Sequence, residues 1–281
     1  MLNVKVVGVK MLIEETLFGK IDKVQQAIDF LREHEPKDGY YMGFSGGKDS
    51  TVAYDLCKRA GVKVFAQYCV TTVDPPEVVY FVKEHYPEIW ENRLKPKMSM
   101  WQLIEKEGIF PTRKVRYCCR IFKEVGGKGF DVVTGIRAEE SSRRAKRKEY
   151  EQKNKDKKHF YCHPIFYWTQ EEVWEYIHKY NLPYCKLYDE GYERVGCIMC
   201  PFQKKTNMLR DIKRYPKYVT NYIKAADRAI KNRVGRKSWE NSTWKSGKEM
   251  FDWWKCDMSK THIAESCDSV PLFSEDDGSV L

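Results

Sequence analysis

Residues 44–50 read Phe-Ser-Gly-Gly-Lys-Asp-Ser and follow the short run Tyr40-Tyr41-Met42-Gly43. An apolar run, a glycine pair and a helical stretch from Asp49 to Gly61 predict a strand, a tight turn and a helix. Two glycines let the backbone turn sharply and come close to an anion. The amides of the turn and of the first helical turn would then point at one spot, where the helix dipole adds partial positive charge. Ser45 and Ser50 can donate hydroxyls, Lys48 supplies a full charge, and Gly46, Gly47 and Asp49 complete the loop. The spacing is not that of Walker A, which needs Gly, four residues, then Gly-Lys-Ser/Thr. A bare Ser-Gly-Gly would read as an ordinary turn, but the whole string in this setting predicts a phosphate site.

Beyond the loop, apolar residues recur with helical period from Ile21 to Glu35. Val62–Val70 reads as a strand, and Asp74-Pro75-Pro76 opens a helix to about Glu84, with proline tolerated in the first turn. Ser99–Glu107 is helical, with Ser99 as N-cap and Gly108 as the stop, and Phe130–Thr134 is a buried strand. Thr169 with Glu172 three residues on forms a capping-box pattern for a helix to Tyr180. Strands alternating with helices imply an α/β fold with a doubly wound parallel sheet that ends near residue 170. Beyond Lys204 the pattern is helical and basic, so a helical C-terminal lobe is expected. The expected organisation is an N-terminal extension and helix over 1–37, the α/β domain over 38–203, the lobe over 204–264 and a loose acidic tail over 265–281.

The net charge of +10 and pI near 9.0 suggest anionic partners, nucleotides or a nucleic-acid acceptor. Arg143–Lys158 concentrates nine basic residues against three acidic ones, either a phosphate-tracking surface or a solvated insertion. No apolar run approaches the length of a membrane span, and Met1–Glu15 carries no signal-peptide pattern, so a cytoplasmic protein is expected. Ten cysteines in such a chain point to metal or thiol chemistry rather than disulfides. Cys118-Cys119 and the Cys-x-x-Cys of Cys197 and Cys200 are the notable pairs. Four thiolates suit tetrahedral zinc or an iron–sulfur cluster. Adjacent cysteines point in different directions, which is awkward around one zinc ion and easier around a cubane with irons at separate corners. The remaining six, 57, 69, 162, 185, 256 and 267, read as core or surface thiols.

The loop at 45–50 resembles the PP-loop of the N-type ATP pyrophosphatases, which hold the pyrophosphate of ATP and open the chain at the α-phosphate. Three further segments make a resemblance specific: Gly135-Ile-Arg-Ala-Glu-Glu-Ser-Ser-Arg-Arg-Ala145, Pro164-Ile-Phe-Tyr-Trp-Thr-Gln-Glu-Glu-Val-Trp-Glu-Tyr-Ile177, and Leu182-Pro-Tyr-Cys-Lys-Leu-Tyr-Asp-Glu-Gly-Tyr192. With the loop, they resemble the phosphoadenosine-phosphosulfate (PAPS) reductase family over about residues 38–202. The resemblance implies that Arg137, Glu140, Ser141 and Arg144 contact nucleotide phosphate or sulfate, a task that suits guanidinium forks. It implies that Cys118, Cys119, Cys197 and Cys200 hold a [4Fe–4S] cluster, as in adenosine-phosphosulfate (APS) reductases, with a related pattern in the PP-loop component of DNA phosphorothioation systems. Adenosine recognition is expected near Tyr68–Thr72.

Two departures bear on the reaction. Family reductases usually carry a degenerate loop, whereas this one is intact, which favours ATP. They also attack sulfur with a cysteine in a C-terminal Glu-Cys-Gly-Leu/Ile-His motif, absent here; Cys267 in Glu265-Ser-Cys-Asp268 and Cys256 are weak stand-ins. The leading expectation is therefore cleavage of ATP at its α-phosphate, with Lys48, Arg137, Arg144 and Mg²⁺ stabilising charge, coupled to sulfur incorporation into a nucleic-acid or small acceptor. Asp49 or Asp74 could hold the Mg²⁺, or serve as caps. A cysteine desulfurase, a thiol or a ferredoxin are the candidate donors. The alternatives are APS or PAPS reduction to sulfite, and a nucleotide-binding regulator with a structural metal site.

Overall fold

The computed structural model describes residues 11–16, 19–154, 156–232 and 244–256. In chain order the elements are β1 (Ile13–Thr16), β2 (Gly19–Asp22), α1 (Lys23–Glu33), β3 (Tyr40–Phe44), α2 (Lys48–Ala60), β4 (Val64–Tyr68), α3 (Pro76–His85), α4 (Pro87–Glu91), α5 (Met100–Glu107), α6 (Tyr117–Phe122), β5 (Val132–Val133), α7 (Ser142–Ala145), β6 (Tyr150–Gln152), β7 (Phe160–Cys162), α8 (Gln170–Lys179), α9 (Lys205–Arg214), α10 (Pro216–Lys231) and α11 (Gly247–Cys256). They form two units. Of the described residues, the first takes in those up to Met100 and those within Tyr117–Cys200, the second Trp101–Arg116 and those from Pro201 on.

The first unit is α/β. Its sheet runs β4-β3-β5-β7-β6, with β4, β3, β5 and β7 parallel and β6 antiparallel to β7 at the edge. Tyr40, Tyr41, Met42 and Phe44 of β3 are all buried, as a parallel strand covered on both faces requires. From β3 the chain passes through α2 to β4 on one side, and β5 then pairs on the other side of β3. In open α/β sheets ligands bind outside the carboxyl ends of the strands at such a reversal, here the ends of β3 and β5. Gly61, with φ +72°, ends α2 in the left-handed conformation that glycine adopts freely. Thr169 and Glu172 close the expected capping box on α8.

Three details depart from the sequence reading. The helix expected from Ile21 begins at Lys23, because Asp22 accepts from the amides of Val24 and Gln25 as N-cap and residues 19–22 pair with β1 instead. The strand expected over Phe130–Thr134 shortens to two residues, since Gly127 and Gly129 before it have positive φ. The basic run over 143–158 holds strand β6 together with a buried lysine: Lys153 Nζ donates to the carbonyls of Gly127 (2.8 Å) and Phe130 (2.6 Å). Part of the run therefore builds the sheet edge rather than a solvated face.

The second unit is helical around an aromatic core. Trp254 stacks on Phe110 at 4.7 Å and gives its indole N–H to Pro111 O at 2.8 Å, and Tyr222 packs edge-on against Trp101. Cys256, the last residue of α11, is disulfide-bonded, a correction to its reading as a free thiol; Cys57, Cys69, Cys162 and Cys185 are free. Cys267 and the tail expected over 265–281 lie outside the described residues. Among the described residues no helix is long and apolar enough to cross a membrane.

Candidate functional site

The loop between β3 and α2 is built as its residue types suggest. Gly46 has φ +72°, and a Cβ there would stand 2.9 Å from Val78 Cγ1, so the turn needs glycine on two counts. The Ser45 and Ser50 hydroxyls lie 3.0 Å apart, and Ser50 Oγ donates to Gly47 O at 2.7 Å. Gly47 caps α2 without a side chain. The N–H groups of a first helical turn have no acceptor within the helix and face outward. The Lys48 amide gives its hydrogen to the Tyr188 hydroxyl at 2.9 Å, from 140 positions along the chain.

Two cations are fixed on this turn. Lys48 is 3 % exposed and Arg137 is 4 % exposed, so neither is a solvated surface charge. Asp49 divides its carboxylate between them: Oδ2 accepts from Lys48 Nζ at 3.0 Å and Oδ1 from Arg137 Nε at 2.7 Å. Arg137 also pairs with Glu139 at 2.8 Å. Gly135 makes this approach possible, since a Cβ there would lie 2.5 Å from the Asp49 carbonyl oxygen. Glu140 accepts from the Arg137 amide at 3.0 Å and pairs with Arg144, while Ser141 caps α7 by accepting from the Arg144 amide at 3.3 Å. Glu140 and Ser141, expected to touch the nucleotide, thus hold the two arginines in place.

The electrostatics identify further members. Burial lowers the Arg144 guanidinium to about 10, and the positive charges of Arg194, Arg147 and Arg137 act in the same direction, against the pull of Asp49. Arg147 is paired with Glu151. His163, fully buried at the end of β7, is lowered to about 4, by burial first and then by Arg147, with Glu151 opposing and Arg144 adding to the fall. Its Nδ1 is 2.7 Å from Thr134 Oγ1, and its Nε2 has no hydrogen-bond partner among the described residues.

The four cysteines approach one another within the first unit. Cys118 and Cys119 stand on α6, and Cys197 and Cys200 bracket a turn closed by Cys200 N–H to Cys197 O at 3.2 Å, with Met199 at φ +55°. Ile198 N–H donates to Val73 O at 2.8 Å, and Cys197 Sγ meets Thr71 Oγ1 at 3.4 Å, which seats the turn against the loop after β4. A hydrogen bond with Cys119, then burial, then the charges of Cys119, Cys197 and Cys200 push the Cys118 thiol far up. The charge of Cys197 likewise raises Lys123, one helical turn beyond Cys119. Among the described residues no group of three or more His, Cys, Asp or Glu closes around a single metal ion. Asp74 accepts from the Thr71 amide (2.8 Å) and hydroxyl (2.7 Å), the loop-cap role. In the stretch expected to meet adenosine, Thr72 has φ +65° and its hydroxyl accepts from Met100 N–H at 2.8 Å. Sequence reasoning passed over Tyr188, Lys123, Arg194 and His163, while Arg147 lay in the basic run read as either a phosphate-tracking surface or a solvated insertion. Tyr188 stood inside a quoted segment, and the i,i+4 spacing of Lys123 from Cys119 was the signal for that lysine.

The sequence profile of the phosphoadenosine phosphosulfate reductase domain matches residues 39–203. An uncharacterized protein of Methanocaldococcus jannaschii is 34 % identical over 215 residues, 71 % of this chain and 44 % of its own length. An adenosine 5′-phosphosulfate reductase of Staphylococcus haemolyticus is 31 % identical over 174 residues, 58 % of this chain and 70 % of its own. The chain thus spans less than half the length of the archaeal relative. The crystal structure of a phosphoadenylyl-sulfate reductase from Candida auris, in phosphate complex, is 19 % identical with a TM-score of 0.48, over 61 % of this chain and 88 % of that one.

Proposed function

Because the chain belongs to the phosphoadenosine phosphosulfate reductase domain family, we propose that it is an enzyme of sulfur metabolism whose substrate is an adenine nucleotide with a sulfate on its 5′-phosphate, released as sulfite and AMP. The observation that carries this reading is the pair of buried cations, Lys48 and Arg137, held by one carboxylate on the first turn of α2. A relative named adenosine 5′-phosphosulfate reductase supports the choice of substrate.

The chain's own groups serve two tasks. The loop over residues 45–50 receives phosphate oxygens, and Lys48, Arg137 and Arg144 stabilise the charge that grows on the AMP oxygen as it leaves. A thiolate of a dithiol donor attacks the sulfate sulfur, and the S–O bond to AMP breaks. The donor's second thiol then attacks the first thiol's sulfur, the S–SO₃ bond breaks, sulfite leaves and a disulfide remains on the donor. The donor supplies both electrons.

Cys118, Cys119, Cys197 and Cys200 would hold a [4Fe–4S] cluster. Their chemistry fits: none of the four is in a disulfide, and the charges of Cys119, Cys197 and Cys200 reach Cys118 and oppose its ionisation until a cation is bound. When bound, such a cluster supplies a redox-active centre tuned by nearby charge and hydrogen bonds. Mg²⁺ has weaker support, because Asp49 and Asp74 are each already engaged.

A second reading keeps one observation in its favour. The intact Ser45–Ser50 string suits ATP, with the α-phosphorus attacked by an acceptor oxygen and pyrophosphate released, ahead of sulfur transfer to that acceptor. The two readings separate in one experiment. The iron-loaded protein is given adenosine 5′-phosphosulfate with a dithiol, or ATP with Mg²⁺, and sulfite and pyrophosphate are measured. Sulfite that disappears in Lys48→Ala is expected. Pyrophosphate from ATP, with no sulfite from the sulfonucleotide, would select the second reading.

A further inference from the structure

Tyr188 receives a hydrogen bond from each of two loops far apart in sequence. Its hydroxyl oxygen accepts the Lys48 amide of the phosphate loop at 2.9 Å and also the backbone amide of Val195, two residues before Cys197. A phenol oxygen has acceptor capacity for these two amides and one hydrogen to give. With both acceptor positions in use, that hydrogen is the part left for a ligand. The oxygen lies against the phosphate loop: a Cβ added to Gly47 would meet it at 3.4 Å and Val195 Cγ2 at 3.5 Å. The ring itself is anchored away from this contact. It packs edge-on against Trp174 at 5.2 Å, and the Lys48 ammonium stands 5.8 Å from its centroid.

We propose that Tyr188 is a positioning residue that couples the phosphate loop to the Cys197–Cys200 turn, so that an anion on the loop tightens the backbone leading into Cys197. The proposal rests on the reading of residues 45–50 as the nucleotide site. The physical route is short. A bound phosphate oxygen accepts the Tyr188 hydrogen, which polarises the phenol oxygen and strengthens both bonds that it accepts. One of those bonds ends at Lys48 and the other at Val195. Because coupling is reciprocal, whatever orders the Cys197 turn also raises affinity at the phosphate loop.

The test is amide hydrogen exchange on the full-length chain as purified, followed by peptide mass spectrometry, with and without adenosine 5′-phosphosulfate. In the unaltered protein the nucleotide is expected to slow exchange both in peptides over 45–51 and in those over 193–200, the second by about fivefold or more. Tyr188→Phe keeps the ring and its packing on Trp174 and removes the oxygen. It is expected to bind the nucleotide about fivefold to tenfold more weakly, to keep protection over 45–51 at saturation, and to lose the added protection over 193–200. A purely structural tyrosine would instead loosen both segments equally, with or without ligand. Val195→Pro removes the other amide and is expected to uncouple the two segments in the same way, so misfolding of one variant does not remove the test. Full nucleotide-dependent protection over 193–200 in Tyr188→Phe would overturn the proposal. So would its absence in the unaltered protein while the nucleotide binds and protects 45–51. Failure of the unaltered protein to bind the nucleotide at all would overturn the site reading and the proposal with it.

Discussion

The loop over residues 45–50 and the cysteine quartet pose opposite electrostatic problems. At the loop, cations are crowded but four of them have a carboxylate: Lys48 and Arg137 share Asp49, Arg144 has Glu140, and Arg147 has Glu151. On the proposed reading, a substrate anion would add to or displace existing pairs. At the quartet, the four groups are alike. The charges of Cys119, Cys197 and Cys200 oppose ionisation of Cys118, with Lys123 a cation beside Cys197, and a bound metal centre would relieve the strain on Cys118. The first region is organised by the fold alone, and on the proposed reading the second would be completed by what it binds.

Variants can break this contrast, in descending order of effect. Cys118→Ser removes one of four thiols, and iron loading should fall from cluster stoichiometry to background, read by iron and sulfide analysis with visible absorbance. The loop should be largely indifferent, with sulfonucleotide affinity changed by less than about tenfold. Lys48→Ala should lower turnover of the nucleotide by about 10²–10³-fold while iron loading stays intact, because Arg137 still answers Asp49. If each variant damaged the other region as much as its own, the two regions would be one.

Acid probes the loop side through His163. Its native value of about 4 lies below the usual 6.5, so protonation favours the unfolded chain. The stability it contributes is fully present above about pH 6.5, erodes as pH falls through that range, and is gone below about 4. The full loss is on the order of 3 kcal/mol. Denaturant titrations at stepped pH should show this slope, and His163→Gln should flatten it, given that Thr134 still has a hydrogen-bonding neighbour. Thr169→Ala, which opens the capping box on α8, should cost only about 1 kcal/mol, seen as a small fall in melting temperature with both regions unchanged.

What could be read in advance follows the same division. The loop was legible because its determinants are contiguous: glycines for the turn, a lysine beside it, and a helix with a clear stop at Gly61. The α8 capping box was legible for the same reason. The cysteine pairs could be seen, but not what seats them, since the Ile198–Val73 and Cys197–Thr71 contacts join remote stretches. Tyr188 and His163 were invisible as site groups because an aromatic next to apolar residues reads as core until its polar atom is located. Lys153 misled in the other direction: inside a basic run it reads as surface charge, yet two carbonyls draw it into the sheet edge. Asp22 outcompeted the apolar period that would have started α1 at Ile21, a local cap prevailing over a longer-range pattern.

The central claim is that an adenylyl nucleotide's anionic groups lie on residues 45–50 against Lys48 and Arg137. Equilibrium titration of adenosine 5′-phosphosulfate into the protein and into Lys48→Ala tests it most directly. The account predicts saturable binding that weakens by about 10–100-fold, or roughly 1.4–2.7 kcal/mol, when the ammonium is removed. Equal affinity in the two proteins would contradict it.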